Sequence, residues 1–188
     1  MTGSDVGMEL YLRYLSGEND ALGELMSIYA ASIVLFINRF VNNISVAEDL
    51  MTDTFCDLVL KKPRFKGNST FKTYLFKIAK NKAVSYIRHR SHHGTIPLDD
   101  VVHELRDTVA LEETVIGNEE KRGLYHAMNK LSHDHATVLY LIYFEELSHE
   151  ETAFVMRRSK GQIKSLVYRA RIALKAELKK GGYVYEEA

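Results

Sequence analysis

Residues 144–171 read FEELSHEETAFVMRRSKGQIKSLVYRAR, and their punctuation decides the local fold. Ser148-His149-Glu150-Glu151 has the form of a capping box, in which a Ser oxygen and a Glu carboxylate three residues on satisfy orphan backbone amides reciprocally. The helix it opens runs to about Met156. Arg157-Arg158 leaves room for a tight turn, and Ser159 caps a second helix from Lys160 to roughly Lys179. Two helices joined by so short a turn make a helix-turn-helix, whose second helix can lie in a DNA major groove.

That second helix sorts by face. Ile163, Val167, Ala170 and Leu174 stand at i, i+4, i+7 and i+11 and form an apolar stripe. Lys164, Tyr168, Arg171 and Lys175 form a parallel stripe roughly 100° around the helix, with Ser165 and Arg169 further on. Leu166 lies about 60° from the centre of the apolar stripe, a placement open to packing. A merely solvated face would look similar, but Glu177 alone offsets the cations between Arg157 and Lys180.

Upstream, the periodicity is helical throughout. Gly17-Glu18-Asn19-Asp20 reads as a turn with Asp20 as N-cap of a helix from Ala21 to about Val41. Leu22, Leu25, Ile28, Tyr29, Ile33, Phe36, Ile37 and Phe40 are its core face. Asn42-Asn43 ends it, and Ser45-Val46-Ala47-Glu48 reads as another capping box for a helix to about Leu60. Lys61, Lys62 and Pro63 stop that helix. Ser69 or Thr70 then caps a long helix to about Arg90, with Phe71, Leu75, Ile78 and Ala79 inward; Lys82 falls on the same stripe and snorkels. Residues 92–111, with Gly94, Pro97 and acidic residues, read as a linker. A helix from about Glu112 to Leu131 precedes one capped by Ser132 and carrying Val138, Leu139, Leu141 and Ile142. No strand pattern appears, so the expectation is an all-α chain of two small helical domains.

The chain of 188 residues balances 25 Lys and Arg against 25 Asp and Glu, but the charges are sorted. Between Met1 and Asp57 only Arg13 and Arg39 oppose Asp5, Glu9, Glu18, Asp20, Glu24, Glu48, Asp49, Asp53 and Asp57. From Leu58 to Leu98 there is no carboxylate side chain, while Lys61, Lys62, Arg64, Lys66, Lys72, Lys77, Lys80, Lys82, Arg88 and Arg90 are basic. The linker turns acidic, and the second basic block follows. Two basic modules around an acidic connector suit a polyanion contacted at two places.

Cys56 is the sole cysteine, so no intrachain disulfide forms; it reads as a small apolar residue beside Phe55. The N-terminus lacks the pattern of a secretory signal, and the apolar stretch from Ile28 to Phe40 is interrupted and short for a bilayer, so the expectation is a cytoplasmic protein. The eight His show no convincing ligand spacing with carboxylates, which argues against a metal-dependent hydrolase and leaves no metal or cofactor expected.

The segments AEDLMTDTF (Ala47 to Phe55), RFKGNSTFKTYLFKIAKNKAVSYIR (Arg64 to Arg88) and FEELSHEETAFVMRRSKGQIKSLVYRAR together resemble bacterial sigma factors of the sigma-70 family, in the short extracytoplasmic-function (ECF) form. The resemblance runs from about Ala21 to Leu178. It implies a region 2-like domain over 1–91, a linker over 92–111, a region 4-like domain over 112–180 and a tail over 181–188. It implies a transcription initiation factor, not an enzyme, whose partners are core RNA polymerase, promoter DNA and an anti-sigma factor, with no small-molecule substrate.

The resemblance also implies roles for residues. Glu48, Asp49, Leu50, Thr52, Asp53, Phe55 and Cys56 fall in the segment that docks on the clamp helices of the largest polymerase subunit, while region 4 meets the flap of the second-largest. Carboxylates here suit a protein partner because they repel phosphate; they equally suit a helix N-terminus, though Asp53 and Asp57 lie beyond the first turn. Phe65, Lys66, Asn68, Ser69, Thr70, Lys72, Lys77, Lys80 and Asn81 fall in the segment that seizes and opens the −10 element. Opening requires cations for phosphates and an apolar surface or pocket for an unstacked base. Core packing is the competing reading for Phe71, Tyr74 and Phe76, and Tyr74 stands where many relatives carry Trp. Arg158, Lys160, Lys164, Ser165, Tyr168, Arg169, Arg171 and Lys175 fall in the −35 segment, where Leu166 replaces a frequent Arg. The alternative expectation is a helix-turn-helix regulator that does not bind polymerase; it leaves the Leu58–Leu98 block unexplained.

Overall fold

A computed structural model describes residues 5–62, 69–93 and 119–180, and every regular element among them is an α-helix. The all-α expectation holds. The chain divides into two compact units, residues 1–105 and 106–188. The linker and the tail fall largely or wholly outside the described residues, as do Pro63 to Asn68.

The first unit contains α1 (Val6–Leu15), α2 (Asp20–Val41), α3 (Ile44–Lys61) and α4 (Phe71–His93). Helix α1 is absent from the sequence reading. Asp5 caps it, its Oδ1 accepting from the Met8 amide at 3.2 Å. Helix α2 is long and apolar enough to span a membrane by length and composition, contrary to the shorter stretch expected, and α1, α3 and α4 all pack on it. Leu25, Ile33, Leu35, Phe36 and Ile37 of α2 are fully buried against Tyr11, Leu58, Phe71, Leu75 and Phe76 from the other helices. Each such side chain contributes about 1.5–3 kcal/mol relative to exposure. Phe36 meets Phe76 edge-on, with ring centroids 5.1 Å apart. Ile28, expected inward, is 48% exposed, and Ile78 is half-buried.

Two caps differ from expectation. Asp20 lies inside the first turn of α2, behind Asn19, which makes no side-chain cap bond. Ser45 is inside α3; Asn43 is the true N-cap, its Oδ1 accepting from Val46 N at 2.8 Å. The physical reason is the joint itself. Asn42 takes left-handed backbone (φ 49°) to end α2, so the next residue, Asn43, already caps α3.

The second unit contains α5 (Glu119–Asn129), α6 (His133–Tyr143), α7 (His149–Met156) and α8 (Lys160–Lys180). The Ser148–Glu151 capping box is complete, with both reciprocal bonds present. Ser159 and Gln162 make a second reciprocal pair at the start of α8: Ser159 N donates to Gln162 Oε1 at 2.8 Å, and Gln162 N to Ser159 Oγ at 3.2 Å. Helix α8 packs on α5, α6 and α7. Ile163, Leu166, Val167, Ala170 and Leu178 are its buried face. Leu174, expected in that stripe, is half-buried, whereas Leu166 is packed.

Candidate nucleic-acid interface

Helix α3 presents one acidic stripe. Ser45, Glu48, Asp49, Thr52, Asp53 and Cys56 are all exposed and recur at i, i+3, i+4, i+7, i+8 and i+11, which places them on one face. Leu50 and Phe55, grouped with this segment from the sequence, point the other way and are 9% and 2% exposed; they hold the stripe in place from beneath. Cys56 is exposed rather than packed beside Phe55, because consecutive helical residues lie about 100° apart.

Asp57 borders the stripe and ties α3 to α4. Its Oδ2 accepts from Lys61 Nζ at 2.9 Å and lies 3.3 Å from Lys82 Nζ. The Lys61 hydrogen bond, opposed by partial burial and aided by Lys82, holds the Asp57 carboxyl below the usual range. Lys82, read as a snorkelling cation, therefore has a named destination. Tyr74, half-buried, is pushed upward by burial and then by the Asp57 charge, so its phenol stays protonated.

Thr70 caps α4, which settles the alternative between Ser69 and Thr70: Thr70 Oγ1 accepts from Thr73 N at 3.3 Å. Phe71 and Phe76 are fully buried and belong to the core. Lys77, Lys80 and Asn81 share a face at i, i+3 and i+4, each half-exposed. Lys72 lies with its Nζ 6.0 Å from the Phe76 ring centre. Ser69 is half-exposed and Thr70 exposed. Phe65, Lys66 and Asn68 lie outside the described residues.

In the second unit α8 carries a cationic face. Lys164, Ser165, Tyr168, Arg169 and Lys175 are exposed, Tyr168 by 69%. Arg158, Lys160 and Arg171 have partners that the sequence reading missed. Arg158 pairs with Asp134, Lys160 with Glu150, and Arg171 Nε donates to the Tyr143 hydroxyl at 2.5 Å with its guanidinium over that ring. The Lys160 hydrogen bond lowers the Glu150 carboxyl. No local spacing announces these pairs, because Asp134 and Tyr143 come from α6 and meet the helix-turn-helix only through tertiary packing. Among the described residues no group of three His, Cys, Asp or Glu side chains could hold a metal ion.

Two helical modules, an acidic stripe on one and cationic helix faces on both, are the features that a DNA-directed protein class would carry. Residues 25–93 match the family model of sigma-70 region 2, and residues 121–174 that of sigma-70 region 4. The RNA polymerase sigma-H factor of Pseudomonas aeruginosa is 29% identical over 185 residues, covering 93% of this chain and 94% of its own length. The ECF RNA polymerase sigma factor SigW of Bacillus subtilis is 28% identical, covering 87% and 91%. Among solved structures, CnrH in complex with the cytosolic domain of CnrY superposes with a TM-score of 0.66 at 20% identity, covering 93% and 98%. RpoE of Bartonella quintana, in complex with the anti-sigma factor NepR, gives 0.63 at 24%, covering 84% and 96%. The chain belongs to the sigma-70 family, in its ECF group.

Proposed function

We propose that this chain is an RNA polymerase sigma factor that binds core polymerase and directs promoter-specific initiation. The observation that carries this is the presence of both family modules in one chain, in order, each with its own cationic helix face. A helix-turn-helix regulator acting without polymerase would need the second module alone. The family is one of transcription factors rather than enzymes, and this chain acts by binding, without catalysis of its own.

The division of labour follows from charge. On α3, Glu48, Asp49, Thr52, Asp53 and Cys56 dock on the clamp helices of the largest polymerase subunit, with Leu50 and Phe55 beneath as support. Region 4 meets the flap of the second-largest subunit. Lys66, Lys72, Lys77 and Lys80 hold phosphates at the −10 element; Phe65, beside Asn68, Ser69 and Thr70, receives an unstacked base, and Asn81 reads another. Stacking on an aromatic supplies about 1–3 kcal/mol, comparable with the cost of unstacking. At the −35 element Lys164, Ser165, Tyr168 and Arg169 face the groove, with Arg158, Lys160, Arg171 and Lys175 on the backbone. The domains run 1–91 and 112–180 around the acidic linker 92–111, with a tail at 181–188. An anti-sigma factor is the expected inhibitor, as the Bartonella complex suggests for this fold. The protein works in the cytoplasm on the nucleoid, or waits at the membrane where its anti-sigma factor is anchored there.

The test is co-elution of the purified chain with bacterial core RNA polymerase. Stoichiometric binding weakened at least tenfold by Asp49→Lys is expected. A folded, uninhibited chain that fails to bind core would sink the proposal.

A further inference from the structure

Helix α1 lies outside the matched region 2 segment, which begins at residue 25, yet it grips the chain where the α3–α4 connection starts and where it ends. At the start is Lys62, the left-handed C-cap of α3, whose Nζ sits 5.7 Å over the Tyr14 ring centre. At the end is the Phe71 amide, which donates to Asp5 Oδ2 at 2.6 Å across a separation of 66 residues. The other oxygen of the same carboxylate caps α1 itself. One side chain thus serves the first turns of two helices, and a first-turn amide of α4 has no intrahelical acceptor of its own.

The packing around this bond is close. A Cβ on Gly7 would stand 2.9 Å from Phe71 Cδ1 and 2.7 Å from the Tyr29 hydroxyl, so the glycine is what lets α1 approach. The Tyr11 and Phe71 rings lie 5.1 Å apart. A helix present only to cover α2 would need neither the Lys62 contact nor the Phe71 bond.

We propose that α1 is a positioning element for the α3–α4 connection, with Tyr14 fixing its entry through Lys62 and Asp5 fixing its exit through the Phe71 amide. By holding both ends it sets how the −10 contacts are presented before DNA arrives, which lowers the ordering cost of binding. The role of the connection rests on the sigma reading above; the bracket itself does not.

The bracket is tested on the full chain by limited trypsin digestion, timing cleavage after Arg64 and Lys66. Asp5→Ala is expected to speed both cuts about tenfold, the loss of one charge-assisted hydrogen bond, while cuts after Arg169 and Lys175 keep their rate. Unchanged cutting in a folded Asp5→Ala protein overturns the bracket. If Asp5→Ala loosens the whole first unit, Lys62→Gln decides, since Lys62 is exposed and lies outside the core: faster cutting after Arg64 and Lys66 supports the bracket, and wild-type rates overturn it. The functional half uses the same variants assembled with core polymerase on a promoter selected by the wild-type holoenzyme. Permanganate reactivity of unpaired thymines is expected to fall severalfold with core binding retained; variants that are cut faster yet open promoters normally overturn that half. A wild-type chain that does not bind core removes the sigma reading and leaves the digestion result standing.

Discussion

Replacing Asp57 with Asn should loosen the first unit and flatten its response to acid. The magnitude can be built from the two contacts. Lys61 is 68% exposed and one turn away, so its pair with Asp57 is worth only about 0.3–0.5 kcal/mol. Lys82 reaches from α4, and both partners are about three-quarters buried, at 21% and 26% exposure. A charge-assisted contact of that kind sits near the lower end of about 1.5–3 kcal/mol. Asn retains an oxygen but not the charge, so Asp57→Asn should cost about 1–1.5 kcal/mol. In a double-mutant cycle with Lys82→Met, a coupling of about 1 kcal/mol is expected.

The sign with pH follows from the depressed carboxyl. Its contribution is fully present above the unfolded value of about 3.9 and is lost as pH falls through the lower folded value. Denaturant titrations followed by far-ultraviolet circular dichroism at neutral and acidic pH would measure this. Hydrogen exchange of the α3 and α4 amides at neutral pH would assign the loss to this unit. A coupling below about 0.3 kcal/mol, or an Asp57→Asn protein with wild-type acid sensitivity, would refute the reasoning.

Two further substitutions probe the second unit. Ser159→Ala removes one side of the Ser159–Gln162 exchange and should cost about 1 kcal/mol, read as faster hydrogen exchange in the first turn of α8 with α5 and α6 little changed. Tyr168→Ala, at a 69% exposed position, should leave the melting temperature unchanged within error but weaken −35 binding; a melting shift of several degrees would mean that the ring packs.

The helix-turn-helix was legible because its determinants are local. Both capping serines lie within three residues of their partners, and the apolar stripe of α8 needs only helical spacing. The joint between α2 and α3 was less legible, since Asn42 and Asn43 suit the end of one helix and the start of another, and Ser45 competes on sequence alone. Helix α1 was legible in principle, since Leu10, Tyr11 and Tyr14 recur at helical spacing behind Asp5 as a local cap; what no local pattern shows is the second bond of Asp5, to an amide 66 residues away. The acidic stripe on α3 was half legible: charge identified Glu48, Asp49 and Asp53, while the family segment swept in Leu50 and Phe55, which structure turns inward. Tethering of Arg158, Lys160 and Arg171 depends on Asp134, Glu150 and Tyr143, and only the folded arrangement brings these together.

Among the described residues four non-glycine positions hold left-handed backbone: Asn42, Lys62, Glu146 and Arg157. Asn tolerates that conformation, whereas a longer side chain costs roughly 1–2 kcal/mol there. Lys62 and Arg157 are the C-caps of α3 and α7, where glycine would relax the backbone. The fold therefore has thermal headroom at Arg157, where an engineer would look first. Glycine at Arg157 would give a chain that survives more heat, whereas at Lys62 the same relief is set against the lost contact with Tyr14.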